Sequence, residues 1–455
     1  MAAIITPPGE GGLGAIRIAG PDSARIIEKI FRPAQKDTEL HRPFHLYYGF
    51  LTDRSGETID EVTTVEMPPG QSYTGQAQAE IFSHGGQYIL RKILAEILSF
   101  GVRPAEPGEF TRRAFLAGRI DLAKAEAVAD LIASKTEYAY NAAKRNLLGR
   151  LSEHVEIIRN EAIELLSDIE ASVDYPEEDF EAADREKLFL SVDSILAGLK
   201  ELRDSYRSGR IIREGYAIAI AGRPNAGKSS LFNLLLNQNR AIVAPIPGTT
   251  RDYLIEWIDL DGIAVSLTDT AGLRNASGVV EKAGQRSAEE IMESANLVIW
   301  IVDATRRLWR QELSKDVKQY QDTCPIIVAL NKIDLLKTQP LIEIKAASKE
   351  LGALPLSCKT GAGLTRLRKE LMKCINCEMP DLTDRLVVTS ERHKRKLELA
   401  MRKLRRARKG IAEGRSPEMV AFDFRQGINE IDEITGRIYN EDILDRIFAR
   451  FCIGK

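Results

Sequence analysis

Cysteine is scarce in this chain: five residues in 455, an odd number that cannot all pair. That excludes a disulfide-framework scaffold. Cys374 and Cys377 form a CxxC, but no second cysteine pair or nearby histidine pair completes a zinc site, so packing at a helix end is the simpler use of them. Long hydrophobic runs are missing too; none approaches the roughly 18 residues of a membrane span, and no membrane insertion is expected. The opening Met1-Ala-Ala-Ile-Ile-Thr-Pro-Pro-Gly-Glu10 lacks the basic flank and extended apolar core of a secretory signal, so a cytoplasmic location is expected. Charge of one sign is nearly absent as an excess: the formal net charge is −2. A nucleic acid contact would therefore come from a local patch. Internal repeats and low-complexity tracts are also absent.

What remains is an ordinary globular balance, 44% hydrophobic and 29% charged, in a chain long enough for three domains. Residues 1–118 are rich in glycine and proline, with short apolar runs at Ala15–Ile18 and Val62–Val65 and a helical pattern over Gln87–Ser99. They read as a mixed α/β domain. Residues 119–210 switch to helical spacing, as in Leu122, Ala125, Ala129 and Ile132, or Ile158, Ala162, Leu165, Leu166 and Ile169, broken by Asp174–Asp179. Within 211–378, the runs Ala217–Ala221, Ala264–Thr268, Leu297–Val302, Ile326–Leu330 and Leu354–Leu356 alternate with helix-length segments, which predicts a mostly parallel sheet covered by helices. Residues 379–455 are helical again, with Leu397, Met401 and Leu404 on one face. So short a tail buries little apolar surface alone. It is expected to complete a discontinuous helical bundle with 119–210, leaving the α/β domain of 211–378 inserted between the two parts.

The strand Tyr216–Ala221 runs into Gly222-Arg-Pro-Asn-Ala-Gly-Lys-Ser229 and then the helical Ser230-Leu-Phe-Asn-Leu-Leu-Leu. This is GxxxxGKS in the strand–loop–helix setting it requires. Backbone N–H groups of Asn225, Ala226, Gly227 and Ser230 would surround the phosphates, Lys228 would place a cation on them, and Ser229 would offer its hydroxyl to Mg²⁺. Asn331-Lys332-Ile-Asp334 follows another strand, placing a carboxylate where guanine N1–H and the 2-amino group donate; adenine has neither donor. Discrimination by such missing bonds reaches about 10⁴-fold. Ser357-Cys358-Lys359 stands where a loop would back the base. Asp269-Thr-Ala-Gly272 closes a third strand, with Asp269 as outer Mg²⁺ partner and the Gly272 N–H aimed at the γ-phosphate. Thr250, in Pro247-Gly-Thr-Thr-Arg-Asp252, is the expected switch threonine on Mg²⁺. The chain thus reads as a GTP hydrolase. After Gly272, where many small GTPases carry a glutamine that orients water, stands Leu273, so catalysis needs another group.

Beyond this domain, Thr6–Ile18, Ser72-Tyr-Thr-Gly75, His84-Gly-Gly86, Pro107–Phe115, Asp121–Glu126 and the ending Phe451-Cys-Ile-Gly-Lys455 resemble the MnmE (TrmE) family of tRNA uridine-modification GTPases over the whole length. The resemblance implies a folate-binding, dimer-forming amino-terminal domain and a homodimer that works with the FAD protein MnmG (GidA) as a heterotetramer. Together they would modify carbon 5 of the tRNA wobble uridine with an aminomethyl or carboxymethylaminomethyl group. By the same resemblance, 5-formyl-tetrahydrofolate or 5,10-methylenetetrahydrofolate would contact Arg17, Glu80, Arg119 and Lys455; Arg119 stands where some relatives have lysine, which keeps the charge but not the donor geometry.

The resemblance further implies a K⁺ site formed by Asn225, Ala244, Ile246 and Thr249, with Ala244 and Thr249 also on GTP, and Glu281 orienting the water. Read from the sequence alone, Glu281 is a solvated charge on a switch loop. Cys452 reads either as a nucleophile or as a packed core thiol. Arg392–Lys409 carries ten Lys or Arg against one Glu, and is either a tRNA contact or a solvated face. The rival classes are a ribosome-assembly-type GTPase switch and a folate-dependent one-carbon carrier without RNA.

Overall fold

The computed structural model describes residues 1–455 except 36–38, 175–181, 239, 242–254, 270–289, 312, 315–323, 338–341, 343, 345–351 and 380–385. The chain forms two compact units, one of Met1–Ile132, Asn146–Leu196 and Leu399–Lys455, the other of Ala133–Arg145 and Ala197–Glu398.

The first unit begins with strands β1 (Ala2–Ile4) and β2 (Gly14–Ala19), helix α1 (Ser23–Ile30), and strands β3 (Phe31–Pro33), β4 (Tyr47–Thr52), β5 (Thr58–Met67) and β6 (Gln78–Ser83). Helices α2 (Gln87–Leu98), α3 (Glu109–Leu116) and α4 (Leu122–Ala133) follow. The sheet order is β1-β2-β6-β5-β4-β3 and every pairing is antiparallel. Ile26, Ile27 and Ile30 of α1 and Leu90, Ile93 and Ile97 of α2 recur at helical spacing, and they bury against Ile16, Ile18, Leu51 and Ile81 of the sheet. The other side of β4 is not so covered: Tyr48 and Phe50 alternate with buried Tyr47, Gly49 and Leu51 and remain exposed.

Glu109 opens α3 nearly buried, accepting from Arg103 and Arg113 at 2.8 Å each and from the Glu106 N–H at 3.0 Å. Burial pulls its carboxyl up, but these donors outweigh burial and hold it at about 2, below the ordinary 4.5. A lowered carboxylate stabilises the fold above its unfolded value, and that contribution disappears as pH falls toward 2. Glu109→Gln is accordingly expected to cost about 2 kcal/mol at pH 7. The difference in urea midpoint from wild type should narrow steadily below pH 4.5; a constant difference down to pH 3 contradicts this account.

Helix α5 is Glu137–Leu147, α6 Arg150–Asp174 and α7 Ala182–Glu214. On α6, Leu151, Val155, Ile158, Ala162, Leu165 and Ile169 form the buried stripe that the helical spacing predicts. In α4, Leu122 and Ala125 are buried but Ile132 is 51% exposed, because the last turn runs past the apolar core.

The second unit contains β7 (Tyr216–Ala221), α8 (Lys228–Gln238), β8 (Arg240–Ala241), β9 (Ile255–Leu260), β10 (Ile263–Asp269), β11 (Leu297–Asp303), β12 (Ile326–Asn331), β13 (Leu354–Pro355) and α9 (Leu364–Glu378). Its sheet runs β13-β12-β11-β7-β10-β9-β8, parallel from β13 to β10 and antiparallel beyond. The central strands are apolar along their length because both faces are covered. All five predicted strands are present, and β8 and β9 are added. Cys374 and Cys377 lie near the end of α9, with no metal-holding His, Cys, Asp or Glu cluster among the described residues.

Helices α10 (Glu391–Ala412), α11 (Pro417–Thr435) and α12 (Glu441–Phe448) follow. Leu397, Met401 and Leu404 are buried as predicted. Helix α11 lies along α6, with Arg425 bonded to Glu170, Arg437 to Glu156 and Arg159 to Asp432. Distant parts of the chain thus form one bundle. Among the described residues, no helix is long and apolar enough to cross a membrane.

Candidate functional site

Parallel pairing of β7 with β10 and β11, and of β11 with β12, brings the carboxyl ends of these strands to one edge, where the three nucleotide motifs sit. The loop after β7 must turn tightly. Gly227 has φ +108°, and a Cβ there would lie 2.2 Å from Asn331 Nδ2, so no side chain fits. Asn225 takes the left-handed φ of 60°, which asparagine tolerates, and it is exposed. Lys228 starts α8 almost buried, and its ammonium donates to the carbonyls of Gly222 at 2.9 Å and Arg223 at 3.0 Å. The cation is thereby held across the loop, at the amino terminus of α8.

The Ser229 hydroxyl donates to Asp269 Oδ2 at 2.7 Å, and Asp269 is only 4% exposed. A hydroxyl and a buried carboxylate side by side are oxygen donors that suit a hard divalent cation.

Asn331 acts as a rivet. Its Nδ2 donates to the Ala226 carbonyl at 2.9 Å and its Oδ1 accepts from the Cys358 N–H at 3.0 Å, tying the phosphate loop, β12 and the Ser357–Lys359 loop together. Ser357 is fully buried, and its hydroxyl donates to Asp334 Oδ1 at 2.6 Å, orienting an exposed carboxylate at the site's rim. Burial and then the Asp334 charge push the Cys358 thiol up to about 11. Lys359 and Ser230 are exposed.

The sequence reading missed Asp303 and Thr305. Lys332, at φ 69°, reaches Asp303 Oδ2 at 2.6 Å, while the Thr305 hydroxyl and N–H hold Oδ1 at 2.6 and 3.0 Å. Burial pulls the Asp303 carboxyl up, but the Lys332 and Thr305 bonds outweigh it and hold it below its ordinary value. A carboxylate ending β11, as Asp269 ends β10, was the available signal. Ala244, Ile246, Thr249, Thr250, Gly272, Leu273 and Glu281 lie outside the described residues.

A second cluster lies in the first unit. Arg17 of β2 and Glu80 of β6 are cross-strand partners, with Nε 2.8 Å from Oε1, and Gln78 Nε2 donates to the same oxygen at 3.0 Å. The Arg17 guanidinium rests on the rings of Tyr73 at 5.3 Å and Phe110 at 5.4 Å. The Phe110 N–H donates to the Lys455 carbonyl at 3.0 Å, Pro107 bridges Ile453, and Gly454 sits where a Cβ would meet the Ile4 carbonyl at 2.4 Å. Arg119 donates to the Gly70 carbonyl at the base of the loop carrying Tyr73. Of the four candidate folate contacts, Arg17, Arg119 and Lys455 thus touch that loop or Phe110, and Glu80 is joined to them through Arg17; neither Tyr73 nor Phe110 was singled out from the sequence. Cys452 is exposed, not packed as its alternative reading had it, and its carbonyl accepts from Gly108.

Comparison with known proteins places these sites in context. The family profile of the GTP-binding protein TrmE N-terminus matches residues 1–119, and that of the MnmE helical domain matches residues 122–452. The chain is 39% identical over 460 residues to the tRNA modification GTPase MnmE of Carboxydothermus hydrogenoformans, covering 100% of this chain and 99% of the relative. It is 41% identical over 459 residues to the Symbiobacterium thermophilum protein of the same name, with the same coverage. Among solved structures, the G domain of the T. maritima FeoB iron transporter is 26% identical and covers 36% of this chain and 98% of that one, at a TM-score of 0.26.

Proposed function

This chain belongs to the MnmE (TrmE) family of tRNA modification GTPases, and we propose that its GTP hydrolysis is K⁺-dependent and serves tetrahydrofolate-dependent modification of carbon 5 of the tRNA wobble uridine. The observation that carries the nucleotide assignment is the linked set Ala226–Asn331–Cys358 and Ser357–Asp334, which joins phosphate loop to base loop through hydrogen bonds. Such a linkage fixes the distance between the phosphate-binding and base-reading groups before ligand arrives, so less ordering is left for binding.

In this reading, Lys228 and the α8 amino terminus bind the phosphates, while Ser229 and Asp269 hold Mg²⁺ with Thr250. When bound, Mg²⁺ neutralises phosphate charge, and K⁺ adds positive charge where other GTPases use an arginine finger. Asn225, Ala244, Ile246 and Thr249 are assigned to K⁺. The Gly272 N–H is assigned to the γ-phosphate and Glu281 to the attacking water. An exposed Asn225 amide beside the phosphate loop fits such a ligand.

The Arg17–Glu80 pair on two aromatic rings fits a flat ligand carrying both donors and a carboxylate, which supports the folate assignment to Arg17, Glu80, Arg119 and Lys455. A tetrahydrofolate derivative supplies the one-carbon unit, and an FAD-binding MnmG-type partner supplies the redox chemistry. A thiol role for Cys452 belongs to the same proposal; its exposure supports access. The uncovered apolar residues Phe44, Leu46, Tyr48 and Phe50 support a homodimer formed through this domain, in the cytoplasm.

Deleting Gly454 and Lys455 is expected to weaken 5-formyl-tetrahydrofolate binding at least about tenfold, since a buried hydrogen-bonded anchor is lost, and to leave GTP affinity unchanged. Equal folate affinity rejects the assignment. The function as a whole is tested by mass spectrometry of tRNA nucleosides from cells with and without the gene. Loss of the carbon-5 modification is expected. Intact modification with defective ribosome assembly, or with disturbed one-carbon transfer alone, returns the decision to the rival classes.

A further inference from the structure

Helix α10 holds ten Lys and Arg against Glu391 and Glu398, in a chain whose net charge is −2. The structure sorts these cations by face. Arg408 is spent on Asp193 of α7, at 2.6 and 2.7 Å. Arg402, Arg405, Arg406 and Lys409 instead stand exposed along the outer side of the helix. At about 1.5 Å per residue, Arg402 to Lys409 spans about 10 Å. Arg402 and Arg405 make no ion pair among the described residues.

Arg406 is held differently. Its Nε lies 3.0 Å from Asp423 Oδ2 of α11; the Asp423 side chain is 7% exposed while that of Arg406 is 59% exposed. The other Asp423 oxygen is buried without a hydrogen-bond partner. A buried, half-satisfied carboxylate is costly. Its evident effect is to aim a guanidinium outward from a fixed point, the preorganised fork that suits phosphate.

We propose that this stripe, Arg402, Arg405, Arg406 and Lys409, binds tRNA through its sugar–phosphate backbone. The inference rests on the tRNA-modifying role proposed above. Charge complementarity selects the occupant: Arg406 and Lys409 lie against Asp423 and Glu413, while Arg402 and Arg405 add positive charge that no carboxylate among the described residues offsets.

The test is fluorescence anisotropy of a labelled, unmodified tRNA transcript with the full chain, titrated between 50 and 200 mM salt. For Arg402→Ser/Arg405→Ser/Lys409→Ser, affinity is expected to fall at least about tenfold, and the slope of log K against log salt to fall by about 2, at 0.7 to 0.9 per lost phosphate contact. The lysine version, Arg402→Lys/Arg405→Lys, should retain most of the affinity. GTP hydrolysis by each variant reports that the chain is folded.

A triple variant that hydrolyses GTP normally and binds tRNA within twofold of wild type, with the same slope, overturns the proposal. So does one that keeps tRNA and loses its FAD-binding partner, which makes the stripe a protein-docking surface. Wild type that binds no tRNA with or without that partner defeats the tRNA-modifying role itself, and the stripe with it.

Discussion

Asp334→Asn is expected to lower GTP affinity by about 10³-fold or more and to make xanthosine triphosphate the better ligand. The carboxylate accepts, and guanine N1–H and its 2-amino group donate, so the amide presents a donor where the base also donates. Xanthine carries a carbonyl in place of the 2-amino group and is complementary to the amide. The structure makes this substitution clean. Asp334 is held by the Ser357 hydroxyl at 2.6 Å, and an asparagine oxygen can accept that bond equally well, so the loop keeps its shape. Ser357→Ala is the control: it frees the reading group without changing its polarity, and should weaken both nucleotides by about tenfold alike. Equilibrium binding of GTP, ATP and XTP to the two variants checks the pair. Wild-type GTP affinity in Asp334→Asn shows that Asp334 does not read the base.

Turnover should respond as strongly to the monovalent ion. We expect kcat in K⁺ to exceed that in Na⁺ by about 10²-fold or more, the range that a positive group at the phosphates supplies elsewhere, and pairing of two G domains to accompany it. Leu273 cannot orient water by hydrogen bonding, and Asn225 stands exposed at the turn of the phosphate loop, at a left-handed φ of 60°. Arg223, Arg251 and Arg274 offer the rival, an internal arginine finger, which needs no particular ion. Asn225→Ala should erase the difference between the salts by lowering the K⁺ rate, while each arginine variant should preserve it. Equal rates in both salts for wild type reject K⁺ as the catalytic cation, and an arginine variant that alone abolishes turnover in both salts identifies the finger.

Much of the nucleotide site was legible because its signals are local. Glycines at fixed spacing, a lysine and a serine at a helix start, and Asn-Lys-x-Asp after an apolar strand each follow from what a few consecutive residues can do sterically and by hydrogen bonding. The five continuous apolar runs became the five expected strands for the same reason, since a strand buried on both faces has no polar side to hide. Strand β9 was missed because exposed Ile255 and Glu256 start it and its burial comes from the antiparallel partner β10. Helical stripes on α6 and α10 were equally plain, whereas Ile132 fits the periodic pattern yet is exposed, because periodicity says which residues share a face and not how far the facing core extends.

From sequence alone came the GTPase class of the P-loop domain, the helical character of its flanks and the insertion between them. Tertiary structure decided the rest: that Lys332 spends its charge on Asp303, that Asn331 serves as a rivet between two loops, that Arg17 meets Glu80 across a strand register, and that the Lys455 carbonyl docks on Phe110. It also decided which cations of α10 face outward. Each of these joins residues far apart in the chain, and their meeting depends on sheet order and helix packing, which set the closure of long loops and carry no signature in any short window of sequence.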